Sequence, residues 1–205
     1  MLHDVLWRSN FHLAQSCLLH PFVRALGDGT LQADLFRAYI AQDAFFLRAF
    51  AQVYALALAR SSDLEAIALF SELIGGVQEE LNLHRVYAAE LAIDLGSVVP
   101  NPACRAYTDF LLRTAWHNSL GETLAAITPC MRLYAFLGQK LVPKCRPQHP
   151  YRKWMETYST EEFRLLGGRL EALLDRVCVS TVEVRDVYRY ALRCELNFFS
   201  AVVGS

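Results

Sequence analysis

The sequence predicts an all-α fold, on three observations. Apolar residues recur at helical rather than strand spacing in almost every segment. Ser-x-x-Glu pairs, the pattern of a helix capping box, recur at Ser62/Glu65, Ser119/Glu122, Ser159/Glu162 and Ser180/Glu183. Glycine- and proline-bearing stretches punctuate the chain at Gly27-Asp28-Gly29, from Gly96 to Pro102 and from Pro143 to Pro150.

Taken in order, these signals place a first helix near 2–19 and a second near 31–60, with the Gly-Asp-Gly stretch between them. Ser62/Glu65 opens a helix near 63–94, which the Gly96–Pro102 stretch separates from one near 102–118. Ser119/Glu122 opens a helix near 120–141 that carries Pro129 in its interior. After the proline loop come a short helix near 148–157 and two longer ones near 160–178 and 181–203, each of the last two announced by its own capping box. Nothing repeats at a fixed period.

The 205 residues suit one domain, 1–205. A chain of this length buries roughly 70% of its unfolded surface, enough to dispense with disulfide or metal staples. The hydrophobic fraction of 54% is high, so either a large core or a partner subunit covers the surplus. Lys+Arg 20 against Asp+Glu 21, with no basic stripe, argues against a nucleic-acid partner. No run of 18 apolar residues is present to span a membrane, and Asp4 and Arg8 make the N-terminal stretch unlike a secretory leader. The six cysteines (Cys17, Cys104, Cys130, Cys145, Cys178, Cys194) form no Cys-x-x-Cys pair and read as reduced thiols of a cytoplasmic protein.

Several places combine polar or reactive groups with rings. Asp43, Phe46 and Phe50 share a helix face, a carboxylate beside two rings; a surface Asp or one paired with an Arg gives the same pattern. Pro129 frees the carbonyl of Ala125 and precedes Cys130, which could equally be an inert buried thiol. Tyr107 and Tyr158 read as tyrosines on partly buried faces. Glu195 shares a face with Phe198 and Phe199, a setting that would raise a carboxyl's pKa if it is buried. Glu80 and His84, four apart, have the spacing of paired ligands in helical di-iron proteins; a hydrogen bond in the core or at the surface is the plainer reading.

The order and spacing of these places resemble the TenA (thiaminase II) family over essentially the whole chain. The resemblance is carried by Glu80-Leu-Asn-Leu-His84, by Thr128-Pro129-Cys130, by Tyr151 through Phe163, and by Glu195 with its phenylalanines. It implies a haem-oxygenase-like helical bundle, a homotetramer, and hydrolysis of 4-amino-5-aminomethyl-2-methylpyrimidine to the hydroxymethyl compound and ammonia, with thiamin as a slower substrate. No metal, haem or nucleotide cofactor is implied. Cys130 would be the nucleophile, as a thiolate whose pKa a donor or positive field lowers, and Glu195 the proton carrier. Asp43 would grip the ring nitrogen and 4-amino group with its two oxygens, and Phe46 and Phe198 would sandwich the ring. Tyr107, Tyr134 and Tyr158 would complete the substrate site. Phe46 stands where the family often carries a tyrosine, so a hydroxyl is lost there. A metal-dependent oxidase on the same fold, and a pyrimidine-binding regulatory protein without turnover, are the rival readings.

Overall fold

The computed structural model describes residues 1–144 and 146–204; Cys145 lies outside them. The described residues form ten α-helices and no strand: α1 (Leu2–Ser9), α2 (Phe11–Leu19), α3 (Pro21–Asp28), α4 (Ala33–Ala59), α5 (Leu64–Glu90), α6 (Pro102–His117), α7 (Leu120–Leu141), α8 (Arg152–Ser159), α9 (Glu161–Val177) and α10 (Val182–Val203). A single 3-10 turn, Val142–Lys144, follows α7.

Helix α7 is the axis of the bundle. It is buried almost all round, from Gly121 through Thr123–Met131 to Leu141, as a helix with no polar face must be. Helices α6, α8, α9 and α10 pack against it, while α4 runs along α5 and also touches α6. The helix continues through Pro129, and the Thr128 hydroxyl donates to the Leu124 carbonyl at 2.6 Å just before the proline. Gly138 sets how closely α8 can approach. A Cβ there would lie 2.6 Å from the Tyr158 carbonyl carbon, so only glycine admits the end of α8.

The observed elements differ from the predicted ones in three places. The first helix is two, because Asn10 is buried and its amide donates to the Leu6 carbonyl at 2.8 Å while its oxygen accepts from Arg189. That side chain replaces backbone bonds and ends α1. Helix α3 occupies part of the expected loop: Pro21 starts it, the His20 ring caps it by accepting from the Phe22 N–H, and Gly29 at φ 76° ends it. Of the four capping boxes, Ser119/Glu122 forms in full. The other three helices begin one residue later, where Asp63, Thr160 and Thr181 accept the orphan N–H groups.

Candidate functional site

A cavity of about 610 Å³ lies between α4, α5, α7 and the α8–α9 corner. Helix α4 contributes Asp43, Phe46, Leu47, Phe50 and Tyr54, a single stripe at helical spacing. Helix α7 contributes Cys130, Met131 and Tyr134, and α5 contributes Gly76, Glu80 and Leu83. Tyr158 and Phe163 close the far wall, in edge-to-face contact at 5.3 Å. Exposed Glu79 and Glu162 mark the outer end.

Behind the wall stands a chain of polar groups that the fold buries. Glu195 on α10 is 2% exposed and accepts from the Tyr107 hydroxyl at 2.8 Å. The Cys130 thiol donates to the same carboxyl. Burial pushes the Glu195 pKa up to about 7, although Tyr107 and Cys130 both favour its charged form. Burial also pushes the Cys130 thiol well above its ordinary value, and the Glu195 charge adds to this. The expectation of a depressed thiol pKa therefore fails. Carboxylates surround the sulfur where a cation was expected, so Cys130 rests as a thiol hydrogen-bonded to a base.

Asp43 has a partner that its own helix does not reveal. His84 Nε2 lies 2.8 Å from Asp43 Oδ2, and both side chains are at least 95% buried. His84 Nδ1 faces the Glu80 carbonyl at 2.9 Å, and a carbonyl only accepts, so Nδ1 carries a proton. Burial opposes a charge on His84, but the Asp43 hydrogen bond and charge, helped by Glu80, outweigh it and raise the pKa. With Oδ2 committed, Asp43 Oδ1 has no hydrogen-bond partner among the described residues, and the expected two-oxygen grip is reduced to Oδ1 and the second lone pair of Oδ2. Both His84 nitrogens are thus occupied, and among the described residues no group of three His, Cys, Asp or Glu is arranged to hold a metal.

Of the residues singled out from sequence, Asp43, Phe46, Cys130, Tyr134 and Tyr158 meet in the cavity wall. Tyr107, Glu195 and Phe198 stand behind it. Phe46 and Phe198 do not form a slot: their rings are 6.1 Å apart and tilted by 59°, whereas a sandwiched ring needs two parallel faces about 7 Å apart. Sequence reasoning missed Tyr54 and Phe163 as wall residues, and it took Glu80 as a possible metal ligand and as part of the family-like Glu80–His84 segment without giving it a place in the site. Tyr54 was within reach, being eleven residues after Asp43 on the same stripe.

The profile of the TENA/THI-4/PQQC family matches residues 7–204. The chain belongs to this family. Among its TENA/THI-4/PQQC relatives, the aminopyrimidine aminohydrolase of Bacillus subtilis is 37% identical over 73% of the chain and 65% of that protein. The aminopyrimidine aminohydrolase of Halalkalibacterium halodurans is 34% identical over 76% of the chain and 72% of that protein. The bifunctional TH2 protein of Arabidopsis thaliana is 38% identical over 88% of the chain, which spans only 34% of its length. The fold is that of a TenA homologue from Pyrococcus furiosus, with a TM-score of 0.92 at 22% identity over 98% of this chain and all of that one. A Shewanella denitrificans domain described as haem-oxygenase-like superposes with a TM-score of 0.73 at 17% identity, covering 98% of this chain and 91% of that domain.

Proposed function

We propose that the protein is a hydrolase of thiamin salvage, converting 4-amino-5-aminomethyl-2-methylpyrimidine and water into the hydroxymethylpyrimidine and ammonia. The observation that carries this reading is the Tyr107–Glu195–Cys130 chain, a thiol aimed into a ring-lined cavity with a buried base at its back. The aminohydrolase names of the Bacillus and Halalkalibacterium relatives support the substrate class.

In this reading Asp43 Oδ1 accepts from the protonated ring nitrogen or the 4-amino group, and His84 holds the carboxylate in place through Oδ2. The charge of Asp43 favours ring protonation, which makes the ring carbon a better electrophile. Cys130 adds to that carbon while its proton passes to Glu195, so the thiolate forms only as the bond forms. Tyr107 steadies Glu195 in both protonation states, donating to the carboxylate at 2.8 Å. Phe46, Phe50 and Tyr134 supply ring faces and one hydroxyl to the pocket. The leaving group departs, water adds to the methylene carbon, and Glu195 returns the proton as sulfur leaves the ring.

We further assign a homotetramer in the cytoplasm. Apolar side chains left outside, including Trp116 at 66% exposure and Leu64 at 80%, give such an assembly surface to cover. Free thiols at Cys17, Cys104, Cys130, Cys178 and Cys194 suit a reducing compartment. Incubating the protein with the aminomethylpyrimidine and following both ammonia and the hydroxymethyl product tests the reading. Stoichiometric formation of the two is expected, and binding without either product would leave a ligand-binding protein instead.

A further inference from the structure

Glu195 cannot easily serve every proton transfer in the proposed reaction, because it sits behind Cys130 and outside the cavity wall. Glu80 stands in the wall itself, on α5, across the cavity from α7. It keeps accessible surface although protein surrounds it, and as a wall residue it turns that surface to the cavity. The Tyr158 hydroxyl donates to its Oε1, and no described residue hydrogen-bonds to Oε2. The groups that act on it are Asp43 from α4, Tyr158 from α8 and, on its own helix, His84, and its own charge is felt by Tyr39 and Tyr54 from α4 and by Cys130 from α7. Gly75, Gly76 and the exposed Glu79 and Glu162 line the same cavity. A Cβ on either glycine would meet nothing within 4 Å, so the space beside them is open.

Resting on the proposed hydrolysis, we infer that Glu80 is the second proton carrier, the acid that protonates the departing amine. The two carboxyls divide the work by position, Glu195 serving the sulfur and Glu80 the 5-substituent. When the methylene carbon–nitrogen bond breaks, the electron pair goes to nitrogen and the Glu80 proton completes ammonia. When water then adds to the methylene carbon, its surplus proton goes to the Glu80 carboxylate and restores the acid. No oxidant, reductant or further reactant enters. Burial and the Asp43 charge, opposed by Tyr158 and His84, hold Glu80 up to about 7, so acid and base forms are both populated near neutrality. Glu80 and His84 are the pair whose spacing suggests a metal site; both His84 nitrogens are taken by the Glu80 backbone carbonyl and Asp43, and the Glu80 carboxyl keeps one oxygen for proton transfer beside the one that Tyr158 holds.

A change of leaving group separates this role from a structural one. An uncharged amino group must gain a proton to leave as ammonia, whereas the thiazolium of thiamin departs as a neutral thiazole and needs no proton. Glu80→Gln keeps an acceptor for Tyr158 and the side-chain size. In single turnovers it should slow ammonia release by about 10²–10⁴-fold, the usual worth of a positioned proton carrier, and slow thiazole release far less. Thiazole release by the same sample shows that the variant is folded and the pocket intact. Equal losses on both substrates, or no loss on the amine, would overturn the assignment. If the unsubstituted protein releases neither leaving group, the hydrolase reading itself falls and this inference with it.

Discussion

At the scale of single residues, charge partners decide what each carboxyl does. On sequence alone Asp43 reads as a carboxylate that grips the ligand, or as one paired with an Arg or facing solvent. The structure pairs it with His84 instead, and removing one member of a buried pair strands the other. Asp43→Asn should lower stability by about 3–5 kcal/mol as well as weaken pyrimidine binding. Urea unfolding together with a binding titration checks both; unchanged stability would mean that the pair contributes nothing to the fold. Glu195→Gln should slow ammonia release by about 10²–10⁴-fold with little change in affinity. It should also abolish the rise of kcat/KM with pH that ionisation of Glu195 near 7 imposes. A pH profile on the variant that keeps that limb would remove Glu195 from the role of base.

The same shifts give stability a sign. Glu195 and Glu80 are raised from 4.5 to about 7, so folding favours their neutral forms and their effect on stability worsens as pH rises across that window. His84 is raised too, so its stabilisation is full below its ordinary 6.5 and is lost as pH climbs through its higher folded value. Melting temperatures should therefore fall from pH 5 to pH 7.5, and fall less in Glu195→Gln. Much of this was legible at the residue level where one helix carries the pattern, as with Asp43, Phe46 and Phe50. It was not legible where the partner comes from another helix, as with His84, 41 residues away.

At the scale of elements, local chemistry fixed which segments are helical, while neighbours fixed their ends. The Ser62, Ser159 and Ser180 boxes marked the right starts but yielded to the next residue, which in each case can also cap. The break at Asn10 needs Arg189, from the far end of the chain, and no local pattern announces it. Gly138 is likewise silent in sequence and decisive in space. Gly138→Ala should cost about 1–3 kcal/mol through overpacking and should push Tyr158 out of the cavity wall. A thermal melt and the KM for the aminopyrimidine read the two effects. An unchanged KM would show that Tyr158 does not depend on that contact.

At the scale of the whole molecule, the buried apolar residues join in one cluster running from Leu6 to Val202. We take the chain as one folding unit, for which a single cooperative unfolding transition is expected. Light scattering should find a particle four times the 23.2 kDa chain, and a 23.2 kDa particle at micromolar concentration would contradict the tetramer. Composition foretold an apolar surplus but not its address; the exposed Trp116 and Leu64 lie on α6 and α5. The account as a whole rests on Cys130 being the nucleophile, and its most direct test is ammonia release by Cys130→Ser, with folding verified by its melt. Serine keeps the shape and the hydrogen bond to Glu195 but is a far weaker nucleophile, so turnover should drop by several orders of magnitude. Turnover within about tenfold of the parent, about 1.4 kcal/mol of barrier, would contradict covalent catalysis at this sulfur.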